Sequence, residues 1–172
     1  NIISCYRFYK NTYKISNYFL TLQKYIKYTV QNMQDFNSII NKFKTYQTFS
    51  QEIDLHQSRL QDFYDEIITI QGKILSIKKF AQIGFVMKQF FILYDDIQLE
   101  KSFLFSFGFN GYIDTLSGLK DNINQKFIAK AKYINSELPI VKFKKSYYPT
   151  LINQDHIKNN IDLSQNMILT GP

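Results

Sequence analysis

The sequence predicts a mainly α-helical chain, a helical bundle with a long antiparallel coiled-coil-like arm, followed by the first β-strands of a second domain. Apolar residues recur at steps of three and four along the first half of the chain, the spacing of one helix face. After about Ala131 the pattern changes to alternation, which is typical of strands. We therefore expect a helical domain over residues 1–122 and the start of another domain over residues 123–172.

The first predicted helix carries an apolar stripe that no proline or glycine interrupts. The average step is close to the heptad spacing of a two- or three-helix seam, so the stripe should pack along a second helix. The stripe comprises Ile15, Phe19, Leu22, Ile26, Val30, Met33, Phe36, Ile40 and Phe43.

A polar break over Thr45 to Gln51 separates the first helix from the second. Ser50, followed by Glu52 and Asp54, is a plausible helix start, because a serine caps and acids favour the positive end of the helix dipole. The two helices should form an antiparallel arm that turns near Gln47 to Gln51. The second stripe comprises Ile53, Leu60, Phe63, Ile67, Ile70 and Ile74.

Two further helical regions follow the arm. Ser76 to about Tyr94 is apolar enough to be largely buried, and Asp95-Asp96 should end this helix or cap the next one. Leu99 to Phe107 predicts another helix. The segment 107–119 predicts a tightly packed helix whose glycines would permit close approach of a neighbouring element.

The C-terminal third predicts strands. Ile140 to Lys145 alternates in character, Pro149 marks a turn, and Ile157 to Leu163 alternates again. Met167 to Leu169 is a short apolar run that resembles a last, buried strand.

Composition excludes few classes of protein. The net charge of +7 suits a nucleic-acid partner but equally a lysine-rich composition. Cys5 is the single cysteine, so neither an internal disulfide nor a zinc cluster is expected, and an intracellular, reducing compartment is the simplest interpretation. The most apolar region, Phe80 to Tyr94, is too short and too polar to span a bilayer. His56 has no second histidine or cysteine near it, so we expect a half-buried or surface residue rather than a metal ligand.

The last residues suggest nucleotide binding. A P-loop consists of a strand, a glycine-rich turn ending in Gly-Lys-Ser/Thr, and a helix whose N-terminus holds phosphate. The apolar run Met167 to Leu169 followed by Thr170-Gly171 matches only the beginning of that arrangement. We therefore expect an internal part of a larger nucleotide-binding protein that stops just before the catalytic loop.

Four C-terminal segments carry a family resemblance. Taken in order, Tyr147-Tyr148-Pro149, His156-Ile157-Lys158-Asn159, Ile161-Asp162-Leu163 and Ile168-Leu169-Thr170-Gly171-Pro172 resemble the start of the ATPase domain of MutS-type mismatch-repair proteins. The resemblance is nearest to divergent MutS-like proteins such as those of large DNA viruses. Upstream, the segment 111–116 is similar to the family helix that carries Leu-Asp-x-Leu. The specific resemblance covers roughly the last 65 residues. The helical half resembles the family's lever and core helices only in its general helical character.

The resemblance implies an α/β P-loop ATPase domain and a set of nucleotide-binding residues. His156 and Ile157 would offer a flat and an apolar surface to adenine, and Asn159 could hydrogen-bond loop backbone or a base edge. Thr170, Gly171 and Pro172 would begin the phosphate loop. The full-length parent would use ATP and Mg²⁺, whereas this part alone would bind neither, since it lacks the Lys and Ser/Thr of the P-loop. No catalytic residue is assigned within it. Tyr148 and His156 depart from the family pattern, which usually has His and an aromatic ring there.

The resemblance also implies DNA as a partner and a homo- or heterodimer formed through the ATPase domain. Lys142, Lys144 and Lys145 could contact DNA phosphate, although a solvated edge strand is an alternative interpretation. A helical scaffold or protein-interaction module without a nucleotide role is the rival function. A helix bundle on anionic membrane fits the charge, but the sequence lacks one clean basic amphipathic face.

Overall fold

The computed structural model describes residues 2–71, 80–136 and 140–163, without the side chains of Phe80 and Ala81. Within these ranges the chain forms four α-helices and one two-stranded antiparallel sheet. The helices are α1 (Ile2–Ile40), α2 (Gln47–Ile67), α3 (Phe80–Asp95) and α4 (Ile97–Asn124), and the strands are β1 (Lys142–Ser146) and β2 (Asn159–Asp162). The predicted mainly helical fold with strands near the C-terminus is confirmed. The P-loop ATPase domain stays a prediction.

The chain divides into two compact units, residues 1–115 and residues 116–172. The first unit contains α1, α2, α3 and most of α4, and the second contains the sheet. Residues 41–46 join α1 to α2 and include a short 3-10 turn, Lys44–Tyr46.

The predicted antiparallel arm is confirmed, because α1 and α2 pack against each other along their apolar stripes. Burying such stripes is the main source of stability for helices of this kind. Ile74 lies outside the described residues. The prediction that Phe43 belongs to the stripe is wrong. The helix α1 ends at Ile40, and the Phe43 ring lies in the connection to α2, where it is 55% exposed. The buried stripe residues are Phe19, Ile26, Val30, Met33 and Ile40 of α1, with Ile53, Leu60, Phe63 and Ile67 of α2 and Ile70 beyond it.

The predicted turn near Gln47 to Gln51 is wrong, because α2 already begins at Gln47. Ser50 does not cap this helix. Its side chain is buried, and its Oγ donates to Asn37 Oδ1 at 2.6 Å while Asn37 Nδ2 donates to Asp54 Oδ1 at 2.6 Å. This polar chain joins α1 to α2, and each buried group in it has a partner, as stability requires.

Gln23 fixes where α2 ends along α1. Its Nε2 donates to the carbonyl oxygens of Ile67 at 2.6 Å and Ile70 at 3.1 Å. Ile67 is the last residue of α2 and Ile70 lies just beyond it, so the amide ties the end of α2 to α1 and sets the register of the pair.

Asp96 is the cap that the sequence suggested. Its Oδ1 accepts hydrogen bonds from the backbone N–H of Gln98 at 2.8 Å and of Leu99 at 3.0 Å, which satisfies two free donors of α4. The helix α3 runs to Asp95, as expected, while residues 76–79 of its predicted start lie outside the described residues. The two helical segments predicted after Leu99 form one continuous helix.

The helix α4 contacts both helices of the arm. Phe103 meets Phe63 of α2 edge-on with ring centroids 6.2 Å apart, and Phe109 meets Phe36 of α1 at 5.8 Å. The prediction that its glycines allow close approach is wrong. A Cβ at Gly108, Gly111 or Gly118 would have no heavy atom of the described residues within 4 Å. Bulky phenylalanines, rather than glycines, therefore make the contacts of this helix.

In the second unit β1 and β2 pair antiparallel, with Lys142 opposite Asp162, Phe143 opposite Ile161 and Ser146 opposite Asn159. The pairing is irregular between Phe143 and Ser146, where Lys145 has φ 56° and its N–H donates to Asn160 Oδ1 at 2.9 Å. The strand β2 lies within its predicted segment, and β1 extends one residue beyond its own, to Ser146. Pro149 begins a 3-10 turn, Pro149–Leu151. The predicted strand Met167 to Leu169 lies outside the described residues.

The arm yields a direct test of its core. Leu60→Ala should lower the free energy of unfolding by about 2–5 kcal/mol, because Leu60 is completely buried and truncation leaves a cavity. Leu55→Ala on the same helix should cost less than about 0.5–1 kcal/mol, since that side chain is 48% exposed. Urea unfolding followed by circular dichroism measures both. Equal losses would mean that α2 does not face α1 as described.

Candidate functional site

The sheet of the second unit brings two aromatic rings together. Tyr147 directly follows β1 and His156 lies shortly before β2, so antiparallel pairing places them side by side. Their ring centroids are 4.4 Å apart at an interplanar angle of 28°, a stacked arrangement. Tyr147 Oη also donates to the carbonyl oxygen of Phe127 at 3.1 Å. The tyrosine ring is therefore held at its face and at its hydroxyl.

The neighbours of His156 identify its tautomer. Nδ1 lies 2.8 Å from the carbonyl oxygen of Gln154, which can only accept, so Nδ1 carries the hydrogen. In the neutral ring Nε2 is then an acceptor. This nitrogen is buried and has no hydrogen-bond partner among the described residues. The imidazole is thus oriented by one backbone contact and retains an unused acceptor.

The residues after His156 differ sharply in exposure and charge. Ile157 is 82% exposed and is one of many large apolar side chains at the surface of the described residues. Lys158 Nζ lies 5.5 Å from the centroid of the Tyr147 ring, within cation–π range. Asn159 begins β2 and is exposed. Consecutive residues therefore offer an aromatic surface, an apolar surface, a cation and an amide.

This arrangement suits a flat, anionic ligand. Tyr147 covers one face of the imidazole ring, so a planar group would stack on the opposite face, next to the exposed Ile157. Stacking of a base on His or Tyr is a common mode of nucleotide recognition. Lys158 would supply a positive charge for phosphate.

The structure describes only part of the predicted nucleotide-binding set. His156, Ile157 and Asn159 lie together before and at the start of β2, whereas Thr170, Gly171 and Pro172 lie outside the described residues. The ring contact of Tyr147 and the cation–π contact of Lys158 were missed. The alternating pattern predicted both strands, but the register that brings these side chains to His156 is not readable from one strand alone.

The three candidate DNA-contacting lysines have different surroundings. Lys142 Nζ forms an ion pair with Asp162 Oδ2 at 2.7 Å, across the strand pair. Lys145 is the residue with positive φ at the irregular step of β1. Lys144 is exposed and makes no ion pair within the described part of the chain. Lys144 and Lys145 therefore combine exposure with an unneutralised charge among the described residues, whereas the charge of Lys142 is paired.

The other histidine has a structural environment. His56 of α2 stacks on Phe105 of α4, with centroids 4.3 Å apart, and its Nδ1 lies 3.0 Å from Ser102 Oγ. Burial, and secondarily the positive charge of Arg59, lowers the pKa of this imidazole, while Glu52 opposes the shift. The expectation that His56 is half-buried is confirmed.

Two kinds of site were also sought among the described residues. No group of three or more His, Cys, Asp or Glu side chains is placed there to hold a metal ion. None of the helices in the described ranges combines the length and the apolar character that crossing a membrane requires.

Comparisons of the chain with protein-family models, with curated proteins and with solved structures gave no match.

The environment of His56 predicts a pH dependence of stability. Because its folded pKa lies below the unfolded value of about 6.5, the stabilising contribution is complete above pH 6.5 and is lost as pH falls through the folded pKa. The urea midpoint of the native chain should therefore drop more between pH 8 and pH 5 than that of His56→Gln, which cannot titrate. His156 is present in both proteins, so any contribution it makes to the urea midpoint cancels in the comparison. Parallel pH profiles for the two proteins would contradict the burial of a neutral His56.

Proposed function

We propose that this chain is part of a MutS-like DNA-binding ATPase, in which residues 1–122 supply lever and core helices and residues 123–172 begin the ATPase domain. The full-length protein would bind ATP and Mg²⁺ and would dimerise through the ATPase domain. The observation that carries the proposal is the stacked pair of Tyr147 and His156 beside an exposed Ile157.

Adenine recognition is the role that this surface supports best. The base would stack on the face of His156 that Tyr147 does not cover, and Ile157 would cover its edge with apolar surface. The hydrogen bond from Nδ1 to Gln154 fixes the imidazole plane before the ligand arrives, which reduces the entropy lost on binding. Asn159 would donate its amide to the phosphate loop or to the base.

The phosphate side of the site is proposed from the sequence alone. Thr170 and Gly171 would begin a loop whose backbone N–H groups surround phosphate, and Pro172 would fix its starting angle. The Lys and Ser/Thr that such a loop needs are absent from residues 170–172, so catalysis is assigned to no residue of this chain.

The arm has properties that a lever needs. The helix α1 contains 39 residues and would be about 58 Å long at 1.5 Å per residue. Its packing against α2, together with the Gln23 and Asn37 contacts, opposes sliding of one helix along the other. A nucleotide-dependent change could therefore be transmitted by the arm as a rigid element, provided that nucleotide makes different contacts in two states.

A helical scaffold without nucleotide binding is the rival function. Exposed rings on the helical unit, such as Phe91, Tyr94 and Phe107, favour it because they could pack against a partner helix. The rival gives no role to the exposed Ile157 or to the stacked His156, so substitutions at these two residues separate the two functions.

Nucleotide binding is tested on the full-length protein with a fluorescent ATP analogue. Ile157→Ala should raise the Kd about five- to tenfold, because a contact worth roughly 1–1.4 kcal/mol is lost while folding is unaffected at so exposed a position. His156→Ala should raise it at least as much by removing the stack.

Ile134→Ala is the matched control, since Ile134 belongs to the same unit and is 71% exposed. It should leave the Kd unchanged. If neither His156→Ala nor Ile157→Ala altered ATP affinity, the nucleotide function would fall and the scaffold would be the better account.

A further inference from the structure

The start of the chain carries positive charge that no acidic residue balances. Residues 1–34 contain five Lys and Arg and no Asp or Glu, so their net charge is +5. All five cations lie on α1, and their side chains are exposed. They are Arg7, Lys10, Lys14, Lys24 and Lys27.

Tyrosines alternate with these cations along one side of α1. Positions 6, 10, 13, 17, 21, 24 and 28 follow steps of three and four, so they line one face, opposite the buried stripe. We call this the outer face: Tyr6, Lys10, Tyr13, Asn17, Thr21, Lys24 and Tyr28. Its tyrosines are 64%, 43% and 60% exposed in that order, and Lys14 borders it.

No carboxylate neutralises this surface within the described residues. None of Lys10, Lys14 and Lys24 forms an ion pair there. The first acidic residue of α1 is Asp35, beyond the outer face, and its Oδ1 accepts a hydrogen bond from Gln31. The outer face therefore presents an uncompensated positive potential.

We infer that the outer face of α1 binds single-stranded nucleic acid. Lysines would contact successive phosphates, and the exposed tyrosine rings would stack on unpaired bases, the combination by which proteins bind single strands without sequence preference. From Tyr6 to Tyr28 the face extends about 33 Å, long enough to contact several nucleotides of one strand.

The composition of the face favours this ligand over other polyanions. An acidic peptide would use the lysines but not three exposed tyrosine rings. An anionic bilayer would require Leu, Phe or Trp to enter it, whereas the outer face offers Asn, Thr and Tyr between its lysines. Bases in a duplex are already stacked and cannot meet a ring on a helix surface.

The inference goes beyond the proposed function and does not depend on it. Loss of ATP binding would overturn the ATPase proposal and leave strand binding by α1 in place. Conversely, ATP binding without strand binding would overturn only this inference.

Two triple variants of the full-length protein test the face by fluorescence anisotropy with labelled dT20. Tyr6→Ala, Tyr13→Ala and Tyr28→Ala together should weaken binding at least about tenfold, with little change in salt dependence. Lys10→Gln, Lys14→Gln and Lys24→Gln together should reduce the slope of log K against log salt by about 2, since each phosphate contact contributes about 0.7 for a single strand.

Matched controls are available on the same unit. Tyr94→Ala removes a ring that is 79% exposed on α3, and Lys42→Gln, Lys44→Gln and Lys101→Gln together remove three exposed lysines elsewhere. Both controls should bind dT20 as the native protein does. Ala and Gln are good helix formers, so far-ultraviolet circular dichroism of all variants should be unchanged. Tyr→Phe at the three outer positions retains the rings and should retain binding.

Several results would overturn the inference. Native affinity for dT20 in both triple variants would do so, as would equal affinity for polyglutamate or for a dT20–dA20 duplex. Binding to vesicles with phosphatidylserine but not to dT20 would identify a membrane surface instead. A loss confined to Lys144→Gln would place the nucleic-acid contact on β1.

Discussion

The structure of the helical unit depends on one constraint, the continuous buried stripe of α1. The buried residues of α1 run from Thr12 to Ile40, and α2 with 21 residues is too short to cover this stretch alone. The helix α3 contacts α1 as well, and α4 adds Phe109 and the hydroxyl contact between Ser106 and Tyr25. The order of the bundle follows from the need to cover this stripe.

Polar contacts select one register from the several that an apolar seam would allow. Gln23 reaches the end of α2, Asn37 connects Ser50 with Asp54, and Asn110 of α4 donates to Thr29 of α1 at 2.8 Å. Shifting either partner helix by one turn would leave these polar groups without hydrogen-bond partners. The free-energy cost of the unpaired groups would exceed the free energy lost from the changed apolar contacts. The arm is therefore specified by polar groups and stabilised by apolar ones.

The same division explains what the sequence could predict. The apolar stripes could be predicted because helical periodicity is visible in the sequence itself. The cap at Asp96 could be predicted because a capping side chain bonds to residues that are close to it in sequence. Ser50 was misread because a buried serine that bonds to Asn37 looks like a capping serine until the partner helix is known. The strands were found but not their register, so the contact between Tyr147 and His156 emerged only from the fold. Thr170 to Pro172 lie outside the described residues, and their role rests on the resemblance.

In the proposed ATPase, DNA binding would depend on the nucleotide state, and this coupling is the central claim. The most direct test measures the affinity of the full-length protein for DNA with and without saturating ATP and Mg²⁺. The account predicts a change of about five- to 150-fold, the usual range of coupling between two sites. Identical DNA affinity in both conditions, with ATP bound, would show that the helices do not transmit the nucleotide state and would contradict the account.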